Sequence, residues 1–157
     1  SGQVNIGIRP GGDVHGHSLA VQLVPDRLVN RFSPVTIQSR GSLDLVLDSF
    51  EVDGEQLRAV TGTAAWKDAA IESPVVLPLG EIGLSLESRA DTLVAAVTRG
   101  GELGVSGEIM LQPGNRYSVD LVLRPGAGIS SDTRELLAVS MRPDSSGGYL
   151  LKTTGRF

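Results

Sequence analysis

The segment Gly41–Trp66, GSLDLVLDSFEVDGEQLRAVTGTAAW, contains the clearest strand pattern in the chain. Leu43, Leu45 and Leu47 alternate with other residues, so their side chains share one face of an extended segment. Asp53-Gly54 follows and favours a tight hairpin turn, because glycine accepts the positive φ angles that such turns require. The residues after this turn return as a second strand. The segment therefore predicts an antiparallel hairpin.

The same alternation recurs along the rest of the chain, between turns that contain glycine or proline. The segments that show it are Ile82–Leu86, Leu93–Val97, Glu102–Gln112, Tyr117–Arg124 and Tyr149–Phe157. A strand every 8–12 residues or so is typical of an all-β meander. We therefore predict a mainly β fold of about 8–10 short antiparallel strands in a twisted or curled sheet.

Two segments depart from the strand pattern. Ser131–Met141 predicts a short helix, with Asp132 as its cap, Glu135 three residues later, and an apolar stripe of leucines and a methionine. Asp26–Phe32, which lies between two prolines, predicts two amphipathic turns. We see no internal repeat and no linker that would divide the chain.

Length and composition indicate one globular domain. The chain has 157 residues, of which 40% are apolar and 20% charged, and we predict a single β-rich domain over residues 1–157. The net charge of −4 argues against a nucleic-acid partner. The absence of cysteine excludes disulfides, thiolate metal sites and cysteine nucleophiles. Ser1-Gly2 is typical of the remnant of an expression tag.

The stretch Gly16-His17-Ser18-Leu19-Ala20 is one residue short of the G-x-S-x-G nucleophile elbow. In that fold the catalytic histidine follows the serine in the chain. The two histidines of this sequence, His15 and His17, both precede Ser18. We therefore interpret the stretch as the start of a strand and predict no hydrolase.

Two further groups of polar residues are candidate sites. Asp13, His15 and His17 would point to one side of a strand and offer metal ligands, but no other histidine or cysteine completes the set. The carboxylates of Asp44, Asp48, Glu51 and Asp53 are close in sequence, and a solvated strand face explains them better than acid–base chemistry. We predict no catalytic, cofactor-binding or metal residue, no cofactor and no enzyme activity. The role of Asp13, His15 and His17 stays open.

Trp66 is the single tryptophan of the sequence. It lies at the end of a strand of small residues. We predict that it packs within the sheet rather than serving as a binding platform.

A series of short motifs runs through the C-terminal two-thirds of the chain in a constant order. The series comprises Trp66-Lys67-Asp68-Ala69, Gly80–Leu86, Gly107–Leu111, Gly114-Asn115-Arg116-Tyr117, Leu123-Arg124-Pro125, the helix Thr133–Ala138, Arg142-Pro143-Asp144, Gly148-Tyr149 and Gly155-Arg156. Taken together, residues 42–157 resemble the protein N family of the bacterial type II secretion system.

The resemblance implies a non-enzymatic accessory role in the export of folded proteins across the outer membrane. It implies a periplasmic domain of a protein anchored in the inner membrane of a Gram-negative bacterium, with the membrane span upstream of this sequence. The implied partners are other secretion components, on the inner-membrane or the secretin side.

Two further expectations concern surfaces. A more distant similarity to lipid-handling β-proteins gives the alternative of a carrier or conduit for acyl chains on an apolar concave sheet face. Small residues such as Gly83, Ala95, Gly104 and Gly107 favour a groove over a filled core. The terminal strand Tyr149–Phe157 is predicted at a sheet edge, available for self-association or for a partner strand.

Overall fold

The structure is a computed structural model that describes residues 5–8, 14–26, 30, 36, 38–53, 56–73 and 76–156. Its strands are β1 (Asn5–Ile8), β2 (Val14–Leu23), β3 (Gln38–Asp53), β4 (Gln56–Ser73), β5 (Leu77–Arg89), β6 (Thr92–Gly100), β7 (Val105–Gln112), β8 (Arg116–Leu123), β9 (Arg142–Pro143) and β10 (Tyr149–Arg156). One helix, α1 (Ser131–Ser140), lies between β8 and β9. These strands form one antiparallel sheet in the order β1-β2-β3-β4-β5-β6-β7-β8-β10-β9. The predicted mainly β meander with one short helix is confirmed.

The strands of the central hairpin are longer than the short strands that the sequence predicts. β3 has 16 residues and β4 has 18, well beyond the predicted boundaries. Their pairing continues through register shifts between Arg40 and Ser42 and between Leu47 and Ser49. Each bulge absorbs an extra residue and bends the strand, so the pairing resumes instead of ending.

The connections between strands follow the predicted turns. Asp53 pairs with Gln56, which confirms the hairpin, while Gly54 itself lies outside the described residues. Gln112 pairs with Arg116 across the predicted turn at Pro113-Gly114-Asn115. The predicted amphipathic turns at 26–32 lie largely outside the described residues.

The start of α1 differs from the prediction. Ser130, rather than Asp132, is the N-cap, and its hydroxyl accepts a hydrogen bond of 3.1 Å from the Thr133 backbone amide. An N-cap side chain accepts from an amide two or three residues ahead, and Thr133 lies three residues after Ser130. Asp132 lies inside the first turn, where a negative charge still favours the helix dipole.

The strand register sorts the side chains into two faces of the sheet. The first, here called the apolar face, follows the partners of Leu47 across the sheet. This row runs Leu19, Leu47, Gly62, Leu86, Ala95, Ile109, Val119, Thr153. The second, here called the polar face, follows the partners of Thr63. This row runs Ala20, Val46, Thr63, Ser85, Ala96, Glu108, Asp120, Lys152, and it is polar from β4 to β10 except for Ala96. The sheet is therefore amphipathic across most of its width.

Helix α1 packs on one corner of the apolar face. Leu137 of the helix is 1% exposed and forms a core cluster with Leu103 and Leu123. Leu103 reaches this core from the turn between β6 and β7, where the sequence pattern predicted a strand. A helix of ten residues is about 15 Å long, whereas ten strands at 4.8 Å spacing span roughly 43 Å. The helix therefore covers only part of the apolar face.

Candidate interaction surfaces

Part of the apolar face outside the α1 corner is only half-buried. Leu45, Leu84 and Leu86 are half-buried in the middle of the sheet, whereas Leu43 and Leu47 on the same face are buried. Cross-strand neighbours shield the half-buried side chains from the sides, and the remaining part of their surface is exposed. A continuous apolar surface of this kind is a feature of binding proteins.

The polar face carries ion pairs between neighbouring strands. Lys67 Nζ lies 2.8 Å from Asp44 Oδ2, and this contact lowers the pKa of Asp44 and raises the pKa of Lys67. Lys152 Nζ lies 2.8 Å from Asp120 Oδ2. These pairs are largely exposed, so each contributes little to stability and mainly keeps the face hydrated.

Arg89 links β5 to β7 on the same face. Its guanidinium contacts Glu87 on β5 at 2.6 Å and Glu108 on β7 at 3.5 Å. Because β6 lies between these strands, the side chain bridges over β6 at the level of Val94. Val94 is only 1% exposed, which explains how an apolar residue is buried on the polar face.

The last full strand, β10, has a free edge. β10 pairs with β8 over its whole length, from Tyr149 to Arg156. On its other side β9 pairs only with Tyr149 and Leu150. Within the part of the chain that the structure describes, no strand pairs with Leu151–Arg156 on that side. The predicted edge position of the terminal strand agrees with this pairing, and the free edge is here called the β10 edge.

The turn between β9 and β10 is organised by Asp144. Its carboxylate accepts hydrogen bonds from the backbone amides of Gly148 and Ser146, at 2.6 Å and 2.8 Å. Arg124 Nη2 lies 3.2 Å from the same carboxylate, and the Asp144 side chain is 10% exposed. Several motifs of the family resemblance, far apart in the sequence, therefore meet at this turn.

The Asp144 turn predicts a pH dependence of stability. The amide of Gly148, first among several donors, holds the pKa of Asp144 below its ordinary value of 3.8. A carboxyl whose pKa is lower in the folded state stabilises the fold above 3.8 and loses this contribution as the pH falls through the folded value. We expect Asp144→Asn to reduce the acid-induced loss of stability between about pH 5 and pH 2.

This expectation is measured by urea unfolding at a series of pH values. Asp91→Asn is the matched control, because Asp91 is exposed in the turn after β5. Equal acid sensitivity in wild type and Asp144→Asn, with the control unchanged, would contradict the role assigned to the turn.

The candidate metal ligands are not brought into a site by the described structure. His15 and His17 lie on β2, opposite Glu51 and Ser49 of β3, and Asp13 lies outside the described residues. His15 Nδ1 is buried without a hydrogen-bond partner in the described part. No group of three histidines, cysteines or carboxylates close enough to hold a metal occurs among the described residues.

Ser18 lies inside β2 rather than at a strand-to-helix turn. Its φ of 61° is left-handed, and neither Ser18 nor the facing Asp48 takes part in the strand register. The positive φ thus belongs to a local break in the pairing of an otherwise continuous strand, and the β2–β3 register is the same on both sides of it. The elbow geometry of a hydrolase is not present here.

The four clustered carboxylates do not form an acid–base pair among the described side chains. Asp44 is paired with Lys67, Asp48 is exposed at the bulge, and Glu51 is exposed opposite His15. The side chain of Asp53 lies outside the described part.

Trp66 donates its indole N–H to the Arg40 carbonyl oxygen at 2.9 Å, which agrees with a packing role within the sheet.

Sequence reasoning missed one feature of the polar face. Arg116 and Arg156 are direct partners in the β8–β10 register, at the end of the sheet farthest from α1's corner. Both belong to motifs of the family resemblance, which gave no reason to expect them side by side. The register that brings them together is set by the β8–β10 pairing and is not visible in the local sequence.

None of the helices in the described residues is long and apolar enough to span a membrane.

The fold and its surfaces define a mainly β protein built on one open, amphipathic sheet with a free edge. A family model described as type II secretion system, protein N, matches residues 1–152, further toward the N-terminus than the motifs alone indicated. The chain belongs to the protein N family of the type II secretion system, as the resemblance predicted.

Named relatives agree with this assignment. Type II secretion system protein N of Aeromonas hydrophila is 30% identical over 135 residues, which cover 85% of this chain and 53% of the relative. The protein of the same name from Vibrio cholerae is 27% identical, over 78% of this chain and 50% of the relative. That from Klebsiella pneumoniae is 28% identical, over 80% and 52%. The chain thus spans about half the length of these relatives. No solved structure gives a significant match.

Proposed function

We propose that this chain is a periplasmic, non-enzymatic interaction module of the type II secretion system. It serves as part of a protein anchored in the inner membrane and contacts other envelope components of the system, on the inner-membrane or the secretin side. Membership of the family supports a role in the system. The β10 edge is the observation that supports contact with a partner.

The β10 edge suits the addition of a partner strand. Leu151–Arg156 presents backbone N–H and C=O groups in a row, and an added strand satisfies such groups directly. β9 caps only the first two residues of β10, so most of the edge stays accessible. Proteins usually protect edges of this kind with charges, bulges or covering loops. An edge of six residues is as long as an average strand.

Proline substitution tests the β10 edge. Neighbouring residues of an antiparallel strand direct their amides to opposite sides, so either Thr153 or Thr154 directs its amide away from β8. Thr153→Pro and Thr154→Pro are therefore made separately, in the full-length protein. The variant that removes the outward amide keeps the β8 pairing and is expected to fold, since proline is tolerated at edge strands. We expect it to reduce secretion by about tenfold or more, because proline blocks strand addition.

The readout is secretion of a type II substrate by a host that lacks its own protein N gene. Alanine at the same position keeps the amide and serves as the matched control. The level of each variant in the envelope is measured alongside. Normal secretion by the fold-competent proline variant would rule out the β10 edge as the contact.

The apolar face supports a second candidate function, the carriage of acyl chains. Its half-buried leucines, Leu45 on β3 with Leu84 and Leu86 on β5, leave part of that face exposed to an apolar ligand. Mass spectrometry of lipid that copurifies with the protein distinguishes the two candidates. Lipid-free protein would count against the carrier and leave the β10 edge proposal untouched.

A further inference from the structure

Two arginines face each other on the polar face without an acidic partner. Arg116 and Arg156 are direct cross-strand partners, which places their Cβ atoms about 4.5–5.5 Å apart on one face. Among the described residues, no carboxylate lies within ion-pair distance of either side chain. By contrast, Arg89, Arg99 and Arg124 each contact a carboxylate. The Arg116–Arg156 pair therefore concentrates two positive charges in an acidic protein.

The neighbouring charges do not neutralise this pair. The next polar-face row toward the sheet centre is Ser118 with Thr154, and the row beyond it is Asp120 with Lys152. Lys152 Nζ lies 2.8 Å from Asp120 Oδ2, so the Asp120 carboxylate already has a cationic partner. Like charges directly opposite each other on adjacent strands destabilise a sheet. An anion between the two guanidinium groups would relieve this repulsion.

The arginines line a hollow of about 340 Å³. Five of its lining residues belong to the polar face, namely Gln112, Arg116, Ser118, Thr154 and Arg156. Tyr117 and Gly155 complete it, and a Cβ on Gly155 would lie 2.6 Å from the Tyr117 ring. The absence of a side chain at position 155 thus lets the ring lie against the strand. The hollow has room for a small polyatomic anion.

A hydroxyl within this hollow lacks a partner. Ser118 Oγ is buried and makes no hydrogen bond with any of the described residues. A buried hydroxyl without a hydrogen bond costs free energy, and an anion held by the two arginines would offer an acceptor to this hydroxyl. Arg116 Nε donates to the Pro113 carbonyl oxygen at 3.3 Å, which fixes part of that side chain beside the turn.

We propose that Arg116 and Arg156 bind a phosphate group in this hollow, with Ser118 Oγ as a further hydrogen-bond donor. A phosphate carries a charge that matches the two guanidinium groups, and arginine binds its oxygens through parallel hydrogen bonds. The phosphate belongs either to a lipid headgroup or to a free phosphate compound, and both present the same oxygens. This site is independent of the β10 edge proposal.

The test compares two double variants of equal charge. Arg116→Gln/Arg156→Gln removes the site, and Arg134→Gln/Arg142→Gln removes two exposed arginines elsewhere. Binding of inorganic phosphate is measured by calorimetry at constant ionic strength. We expect the wild type and the control to bind, and the site variant to bind at least tenfold more weakly for each arginine removed, as charge-assisted hydrogen bonds are lost.

A second readout is the thermal midpoint with phosphate in place of chloride. Ligand binding to the folded state raises this midpoint. General salt effects raise the midpoint of all three proteins. Only the additional rise in the wild type and the control, relative to the site variant, therefore reports binding at the site. Without phosphate, the site variant is expected to be at least as stable as the wild type, because the repulsion is gone.

A vesicle arm separates the two sources of phosphate. Sedimentation with phosphatidylcholine vesicles, with and without phosphatidic acid, tests the headgroup. If the wild type sediments with vesicles that contain phosphatidic acid and the site variant does not, the phosphate belongs to a lipid headgroup. Binding of inorganic phosphate alone assigns a free compound. Equal behaviour of the site variant and the wild type in both arms, or no binding in either, would overturn the proposal.

Discussion

Leu103→Ala is expected to lower the free energy of unfolding by about 2–5 kcal/mol. Leu103 is fully buried, and with Leu123 and Leu137 it forms the core that joins α1 to the sheet. Removal of its side chain loses the burial energy and leaves a cavity that the surrounding strands cannot fill. Because the cluster fixes the helix to the apolar face, the loss should also loosen α1.

Urea unfolding measures this loss, and helical circular dichroism reports on α1. Val139→Ala is the matched control, because Val139 is 88% exposed on the outer side of the same helix. We expect the control to change stability by no more than about 0.5 kcal/mol. A similar small change for Leu103→Ala would show that α1 does not depend on this core.

Gly107→Ala is the second substitution with a large expected effect. Gly107 has a φ of 117°, and a Cβ there would lie 2.1 Å from the Asp120 carbonyl oxygen on β8. Both the left-handed backbone and the overlap with a carbonyl oppose a side chain. We expect a loss of about 2–4 kcal/mol in the free energy of unfolding, from backbone strain and from overpacking.

Gly114→Ala separates the two causes. Gly114 also has a positive φ, of 76°, but no atom lies within 4 Å of the position that a Cβ would take there. Only the backbone strain applies, so we expect a loss of about 1 kcal/mol in urea unfolding. Equal losses at the two glycines would show that the close approach of β8 to β7 contributes nothing.

The three surfaces of the sheet have separate roles in these proposals. The β10 edge offers backbone groups, the apolar face offers hydrocarbon, and the Arg116–Arg156 pair offers positive charge. The proline, lipid and phosphate experiments each address one of them. A failure of one proposal therefore leaves the other two standing.

The local sequence determined the strands and their faces. Leu43, Leu45 and Leu47 alternate with other residues, and in an extended chain this period of two assigns them to one face whatever lies around them. The turn at Pro113-Gly114-Asn115 was equally local, since its residues accept the φ angles that the reversal requires. The helix at Ser131–Ser140 followed from its own apolar stripe.

Only the tertiary structure decided how long the central strands are and what the sheet brings together. The bulges that extend β3 and β4 arise from pairing between the two strands, so neither sequence shows them alone. The same holds for the extent of the β10 edge, which β9 covers only at its first two residues, and for the meeting of Arg116 with Arg156. Register is a property of two strands at once, and it is fixed by their hydrogen bonds and packing rather than by either segment.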